Sequence, residues 1–305
     1  MAKKPAPKRP PTRASNGRPA GLFTWLAVGL VVLVVAALVI IKVTSGSSPS
    51  TGSSTFQATD SATFSELTTV PASVFNTVGV SSPVAPVTPP QSISGQPMLS
   101  ASVNGKTLPE VFYFGAEYCP FCAAQRWPTI IALSRFGTWS GLGNMTSSSS
   151  DIDPSTPTFT FVRAKFTSPY VAFKSIEFET NVYDSATSSY TKLQTPTKSQ
   201  LALFDKYDTS KYIKGLPSTD NGSIPFMSIG NKFLISGASF TPATLAGLSR
   251  TSIAQGLTTT TSPITEAILT SANYLTASIC SLTNNEPSTV CTSPGVMAAK
   301  KVMKI

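Results

Sequence analysis

Residues 22–41 form a twenty-residue run without a charge. At ~1.5 Å per residue a helix over this run spans roughly 30 Å, the thickness of a hydrocarbon core. The run is longer than the apolar centre of an ordinary signal peptide, and no small-residue cleavage site follows it; the alternative is a cleaved leader. Further on, Phe64, Leu67, Val70, Val74, Phe75 and Val78 recur at roughly helical spacing. They predict one or two short helices broken at Pro71. Residues 81–97 are proline-rich and predict a semi-extended connector. Residues 98–103 and 108–114 read as two strands, with Asn104-Gly105 as a hairpin turn between them. A helical pattern starts at Pro120 and runs to about Phe136, with Trp127, Ile130, Ile131 and Leu133 on its apolar face and Pro128 expected to kink it.

Residues 137–157 read as a long polar loop, and residues 158–164 alternate as a strand does. Residues 173–182 predict a further strand with Glu177 and Glu179 on its polar face. Two carboxylates at that spacing suit a metal or acid–base work, but the ordinary preference of charged residues reads a solvated face. Residues 198–207 form an amphipathic helical pattern. Residues 223–230 and 233–235 read as strand, turn and strand, the turn at Asn231-Lys232. Thr241-Pro242 caps a predicted helix to about Gln255, and Ser262-Pro263 opens another to Ile279, with Glu266 in its first turn.

Composition changes the picture in two ways. The net charge of +9 suggests a nucleic-acid partner until it is mapped. Residues 1–44 hold seven basic residues and no acidic ones, which leaves 16 basic and 14 acidic residues in 45–305. The folded part is nearly neutral, so no nucleic-acid partner is expected. The basic residues before the apolar run predict a cytoplasmic N-terminus, with the rest outside the membrane. The chain also has no histidine, which removes Ser-His-Asp and Cys-His catalysis and His-ligated metals.

Four cysteines remain. Cys119-Pro120-Phe121-Cys122 follows the apolar strand 111–114 and the Gly115-Ala116 turn, and opens the helix. Pro120 suits the first helical turn. Unpaired N–H groups and the helix dipole there favour a thiolate on Cys119, and Cys122 lies one turn on, able to resolve a mixed disulfide. The alternative, half a zinc site, needs two more ligands at suitable spacing, whereas Cys280 and Cys291 have ten residues between them. No metal and no cofactor are expected. Cys280 and Cys291 are expected to close a local structural disulfide in an oxidising compartment, an electron relay to the first pair being the alternative. Arg126, near the site, reads as a thiolate partner or, by ordinary preference, as a solvated helix residue. Asn144-Met145-Thr146 and Asn221-Gly222-Ser223 match the glycosylation pattern.

The stretch Phe114-Gly115-Ala116-Glu117-Tyr118-Cys119 resembles the approach to a thioredoxin active site, and Cys-Pro-Phe-Cys resembles glutaredoxins. Ser223-Ile224-Pro225-Phe226 and the strand pair after it look like the second half of that fold. There the resemblance implies a cis proline at Pro225 and a substrate-pairing backbone at Ile224. The whole chain is similar to an uncharacterised prokaryotic family of membrane-anchored thioredoxin-like proteins. Two departures stand out. Thioredoxins bury an aspartate in the strand before the site, where this chain has Tyr113. And 102 residues lie between Cys122 and Pro225.

The resemblance implies an α/β fold: a thioredoxin-like central sheet flanked by helices over 98–256, with an insertion at about 138–222. Around it come a basic tail (1–21), a transmembrane helix (22–41), a Ser/Thr/Pro-rich linker with short helices (42–97) and a C-terminal helix and cysteine loop (257–305). It implies a cell-membrane, single-pass, extracytoplasmic thiol–disulfide oxidoreductase. Its partners would be proteins bearing thiols or disulfides, a membrane redox partner that recycles the site, and the lipid bilayer through 22–41. A binding or adaptor module whose disulfides are structural is the alternative.

Overall fold

A computed structural model describes residues 56–80 and 86–305. The predicted membrane span, the basic tail and part of the linker lie outside them. Among the described residues no helix is long and apolar enough to cross a membrane.

The described chain begins with β1 (Gln57–Ala58), α1 (Ser61–Thr68) and α2 (Ala72–Val78), the two helices separated at Pro71 as the spacing predicts. Asp60 caps α1 by accepting from the Thr63 N–H at 2.9 Å. Next come β2 (Gln91–Ser92), β3 (Ser100–Val103), β4 (Lys106–Gly115) and α3 (Pro120–Ser134). Asn104 and Gly105 take φ of +49° and +77°, the two left-handed positions of the hairpin turn. α3 contains Pro128 and continues through it. Then follow β5 (Thr138–Ser140), β6 (Gly143–Thr146), β7 (Pro157–Thr160), β8 (Lys165–Thr167), β9 (Ala172–Glu177), β10 (Glu179–Asp184), β11 (Ser189–Lys192) and α4 (Lys198–Tyr207). The chain closes with β12 (Phe226–Ile229), β13 (Phe233–Ser236), α5 (Arg250–Gly256), α6 (Pro263–Leu282), α7 (Ser288–Cys291) and α8 (Pro294–Met303). The fold is mixed α/β.

The central sheet is built on β4. β9 runs parallel along its site-proximal half, β3 antiparallel along the other half, and β12 antiparallel on the opposite edge. β13 and β2 extend the sheet beyond β12. Around the site the strand order is therefore β9, β4, β12, β13.

Alternation along β4 sorts its side chains to two faces. Val111 and Tyr113 join Trp127, Ile131, Met227, Ile229 and most of α6 in the larger core. Phe112 and Phe114 join Phe204, Tyr207, Phe226 and Leu234 under α4. Helices thus cover both faces, and the strand runs are apolar on both sides.

Several expectations about extent change. The short helices of 56–80, expected within the linker, pack into the fold: Leu67, Val74, Phe75 and Val78 belong to the larger core. Asn273 of α6 donates to the carbonyls of Phe75 and Gly79 at 3.0 and 2.7 Å, fixing the end of α2. α6, expected outside the 98–256 region, packs into the same core, with most of its residues buried. Within the expected insertion, β9 and α4 belong to the central sheet and its helix layer. The helix expected over 242–255 is divided. A 3₁₀ turn, Pro242–Leu245, precedes Gly247 at φ +73°, and Ser249 then caps α5 with Ser252. The strand expected over 158–164 is shorter and pairs with β6, away from the central sheet.

Cys280, in the last turn of α6, is bonded to Cys291 of α7, with Cα atoms 5.5 Å apart. Both are fully buried. Closing so short a loop stabilises the fold by on the order of 2–3 kcal/mol.

Candidate functional site

β4 ends at Gly115, the chain turns through Ala116–Tyr118, and Cys119 becomes the N-cap of α3. Its sulfur accepts from the Cys122 N–H at 3.2 Å, one of the orphan donors of the first turn. Pro120 fills the first helical position, where a missing N–H is no loss. Both cysteines are free thiols. Cys119 is 4% exposed and Cys122 not at all.

The Ile224–Pro225 bond is cis. It brings the Ile224 carbonyl 3.7 Å from the Cys119 sulfur, just before β12 pairs with β4. The expected site residues Cys119, Cys122, Ile224 and Pro225 therefore meet in one place. Cys280 and Cys291 are bonded to each other at the end of α6 and belong to a different part of the fold.

Burial works against a charged Cys119, but hydrogen bonding from Cys122, through side chain and backbone N–H, and the Arg126 charge outweigh it. The Cys119 thiol is held below its ordinary value. Cys122 is pushed well up, first by burial and then by hydrogen bonding to Cys119. The pair is asymmetric: one sulfur is prepared as a thiolate, the other kept protonated.

The charged neighbours correct the solvated readings of Arg126 and Glu177. Both side chains are 0% exposed and pair at 2.6 Å. Arg126 Nε donates to the second carboxylate oxygen at 2.8 Å, making the contact bidentate, and Nη2 also donates to the Ala116 carbonyl at 2.7 Å. Cys119, Cys122 and Arg126 are spaced i, i+3, i+7, one face of α3. Glu177 pairs with Gly115 across the β9–β4 ladder, at the entry to the turn. The helical spacing was present in the sequence; the partner carboxylate, 51 residues away, was visible only as one of two glutamates on a strand.

Tyr113 fills the same region. A side-chain carbon on Gly115 would sit 2.5 Å from the Tyr113 hydroxyl and 2.9 Å from the Cys122 sulfur, so the turn needs glycine there and the two atoms share one small space. The hydroxyl is buried without a hydrogen-bond partner, as is Nη1 of Arg126.

An aromatic rim borders the site. Tyr118 stacks on Tyr190 of β11 with centroids 4.1 Å apart, and Tyr183 of β10 meets Tyr190 edge-on at 5.3 Å. The Glu117 N–H donates to the Glu179 carbonyl at 2.9 Å, tying this hairpin to the turn. Phe121, between the cysteines, is 39% exposed and Tyr183 48%. These rings give a partner chain apolar surface beside the sulfurs.

Glu117 is buried, and burial pushes its carboxyl up to about 7, although the Thr160 hydroxyl donates to it at 2.6 Å. An acid whose folded value is raised binds its proton more tightly when folded, so stability falls as pH rises from its ordinary 4.5 through about 7. Glu117→Gln is expected to remove on the order of 2 kcal/mol of that loss. Denaturation midpoints measured across this pH range check it. Asp208, raised to about 6 by burial, keeps its own share of the slope in both proteins.

The fold and site thus define a mixed α/β protein with a free, buried cysteine pair at a strand-to-helix turn. The chain belongs to the family described as Domain of unknown function (DUF929), which matches residues 93–281. That range includes both cysteines of the pair, Arg126, Glu177 and the cis proline, and ends before Cys291. No curated protein and no solved structure matches the chain.

Proposed function

We propose that this chain is a membrane-anchored, extracytoplasmic thiol–disulfide oxidoreductase with a thioredoxin-like core. One observation carries the reading: the free Cys119 thiol caps α3, with its acidity raised, beside the carbonyl of a cis Ile224–Pro225 bond. The order β9, β4, β12, β13, with β9 parallel and β12 antiparallel to β4, supports the fold assignment. The anchor rests on the uncharged run at 22–41 and the basic residues before it.

In the reducing direction, the Cys119 thiolate attacks a substrate disulfide. A mixed disulfide forms, and one substrate sulfur leaves as thiolate. Cys122 loses its proton and attacks the Cys119 sulfur, which releases the second substrate thiolate. The protein gives up two electrons as its own disulfide forms, and the substrate takes them. The oxidising direction is the reverse, with a substrate dithiol as electron donor. The raised acidity of the Cys119 thiol makes its thiolate a good leaving group and favours that direction. Ile224 offers its backbone to the substrate chain, and Phe121 and the tyrosine rim supply apolar contact.

One observation favours a second reading, a binding module with a structural pair: the Cys119 sulfur lies almost wholly buried. Equilibrating the full chain against glutathione buffers separates the two. An oxidoreductase pair converts between dithiol and disulfide within the buffer range; a structural pair stays in one state.

A further inference from the structure

Arg126 and Glu177 form a fully buried ion pair, an arrangement that apolar residues of equal size often match or better in stability. Its geometry points to another use. The guanidinium reaches back along α3 to the Ala116 carbonyl, on the turn that carries Cys119. One of its nitrogens, Nη1, has no hydrogen-bond partner. The Tyr113 hydroxyl, also unpartnered, occupies the same small space as the Cys122 sulfur. The guanidinium carbon lies 5.9 Å from the Tyr113 ring centre, so the cation and the tyrosine are neighbours on the side of the Cys122 sulfur.

On the reading of Cys119 and Cys122 as a redox couple, we propose that the buried Arg126–Glu177 pair, with the Tyr113 hydroxyl, is the positioning unit that sets the couple's potential. Reduction of the disulfide adds two electrons and, near neutral pH, leaves one thiolate and one thiol. The Arg126 charge favours the negative sulfur on Cys119, the Tyr113 hydroxyl offers a donor beside Cys122, and Glu177 tempers the guanidinium. The charged and titratable groups around the couple are Tyr113 from β4, Glu117 and Tyr118 from the turn, Arg126 from α3, Glu177 from β9 and Glu179 from β10. Arg126 acts on both sulfurs in the stabilising sense; Glu177 opposes it at Cys122.

The test uses the full chain with Glu177→Gln, which keeps the shape and removes the negative charge. With the guanidinium uncompensated, the dithiol gains. The equilibrium with glutathione shifts about tenfold toward the dithiol, ~30 mV, and the Cys119 thiolate absorbance appears at lower pH. Tyr113→Phe, which deletes only the hydroxyl, shifts both readouts the other way by a few-fold. A scaffold role alone lowers the denaturation midpoint and moves neither readout. Wild-type potential and wild-type thiolate titration in the folded variants overturn the proposal. If Glu177→Gln does not fold, an unchanged Tyr113→Phe overturns it alone. If the wild-type couple does not exchange with glutathione, the redox reading fails separately, and the thiolate titrations still decide the positioning role.

Discussion

Replacing Cys119 with serine is expected to reduce dithiol–disulfide exchange with a model protein substrate to the uncatalysed background. A serine hydroxyl is not ionised near neutral pH and forms no exchangeable bond to sulfur. The position cannot be served from elsewhere: Cys122 is fully buried with its thiol pushed up, and Cys280 and Cys291 are bonded to each other. The substitution should leave the fold intact, because a serine oxygen also accepts from the Cys122 N–H as an N-cap. Exchange rates and denaturation midpoints, measured together, check both halves. Full activity in a folded Cys119→Ser protein would rule out the mechanism.

Arg126→Met is expected to produce the largest loss of stability. It leaves the Glu177 carboxylate buried with no cation, which costs about 3–5 kcal/mol. Domains of this kind are stable by roughly 5–15 kcal/mol, so the loss is a large share of the total. Adding Glu177→Leu to Arg126→Met should recover most of it, since the orphaned charge is then gone. Chemical denaturation of the two single variants and the double variant gives the coupling directly. If Arg126→Met alone costs less than about 1 kcal/mol, the pair is not held apart from water as its burial requires. The double variant also separates stability from chemistry: with the fold restored, its potential should still differ from that of the wild type.

Local rules made much of this fold legible in the sequence. Asn104-Gly105 announced the hairpin, Pro71 the break between α1 and α2, and the amphipathic pattern over 198–207 the helix α4. The cysteine pair and Ile224-Pro225 were legible as motifs, and the chain brings them together. What was not legible depended on distant partners. Arg126 and Glu177 each look like surface residues until β9 is laid beside β4, because a charge is buried only when its counter-charge arrives from another element. The periodicity of α6 gave a helix but could not say that it would be covered nearly all round, since that cover comes from α2, α3 and α8. The break before α5 followed from Gly247 and the Ser249 cap, local signals that the longer helical pattern obscured.

The most direct measurement is the reduction potential of the Cys119/Cys122 couple in the full chain. Peptides carrying these two residues would be quantified as dithiol and disulfide across a graded redox buffer. A value between about −120 and −180 mV is predicted, the range of disulfide donors and isomerases, because the prepared Cys119 thiolate favours the reduced form. A value near about −270 mV would keep the chemistry and reverse its direction. A value below about −300 mV, or a pair that never exchanges, would contradict the oxidoreductase and make the pair structural.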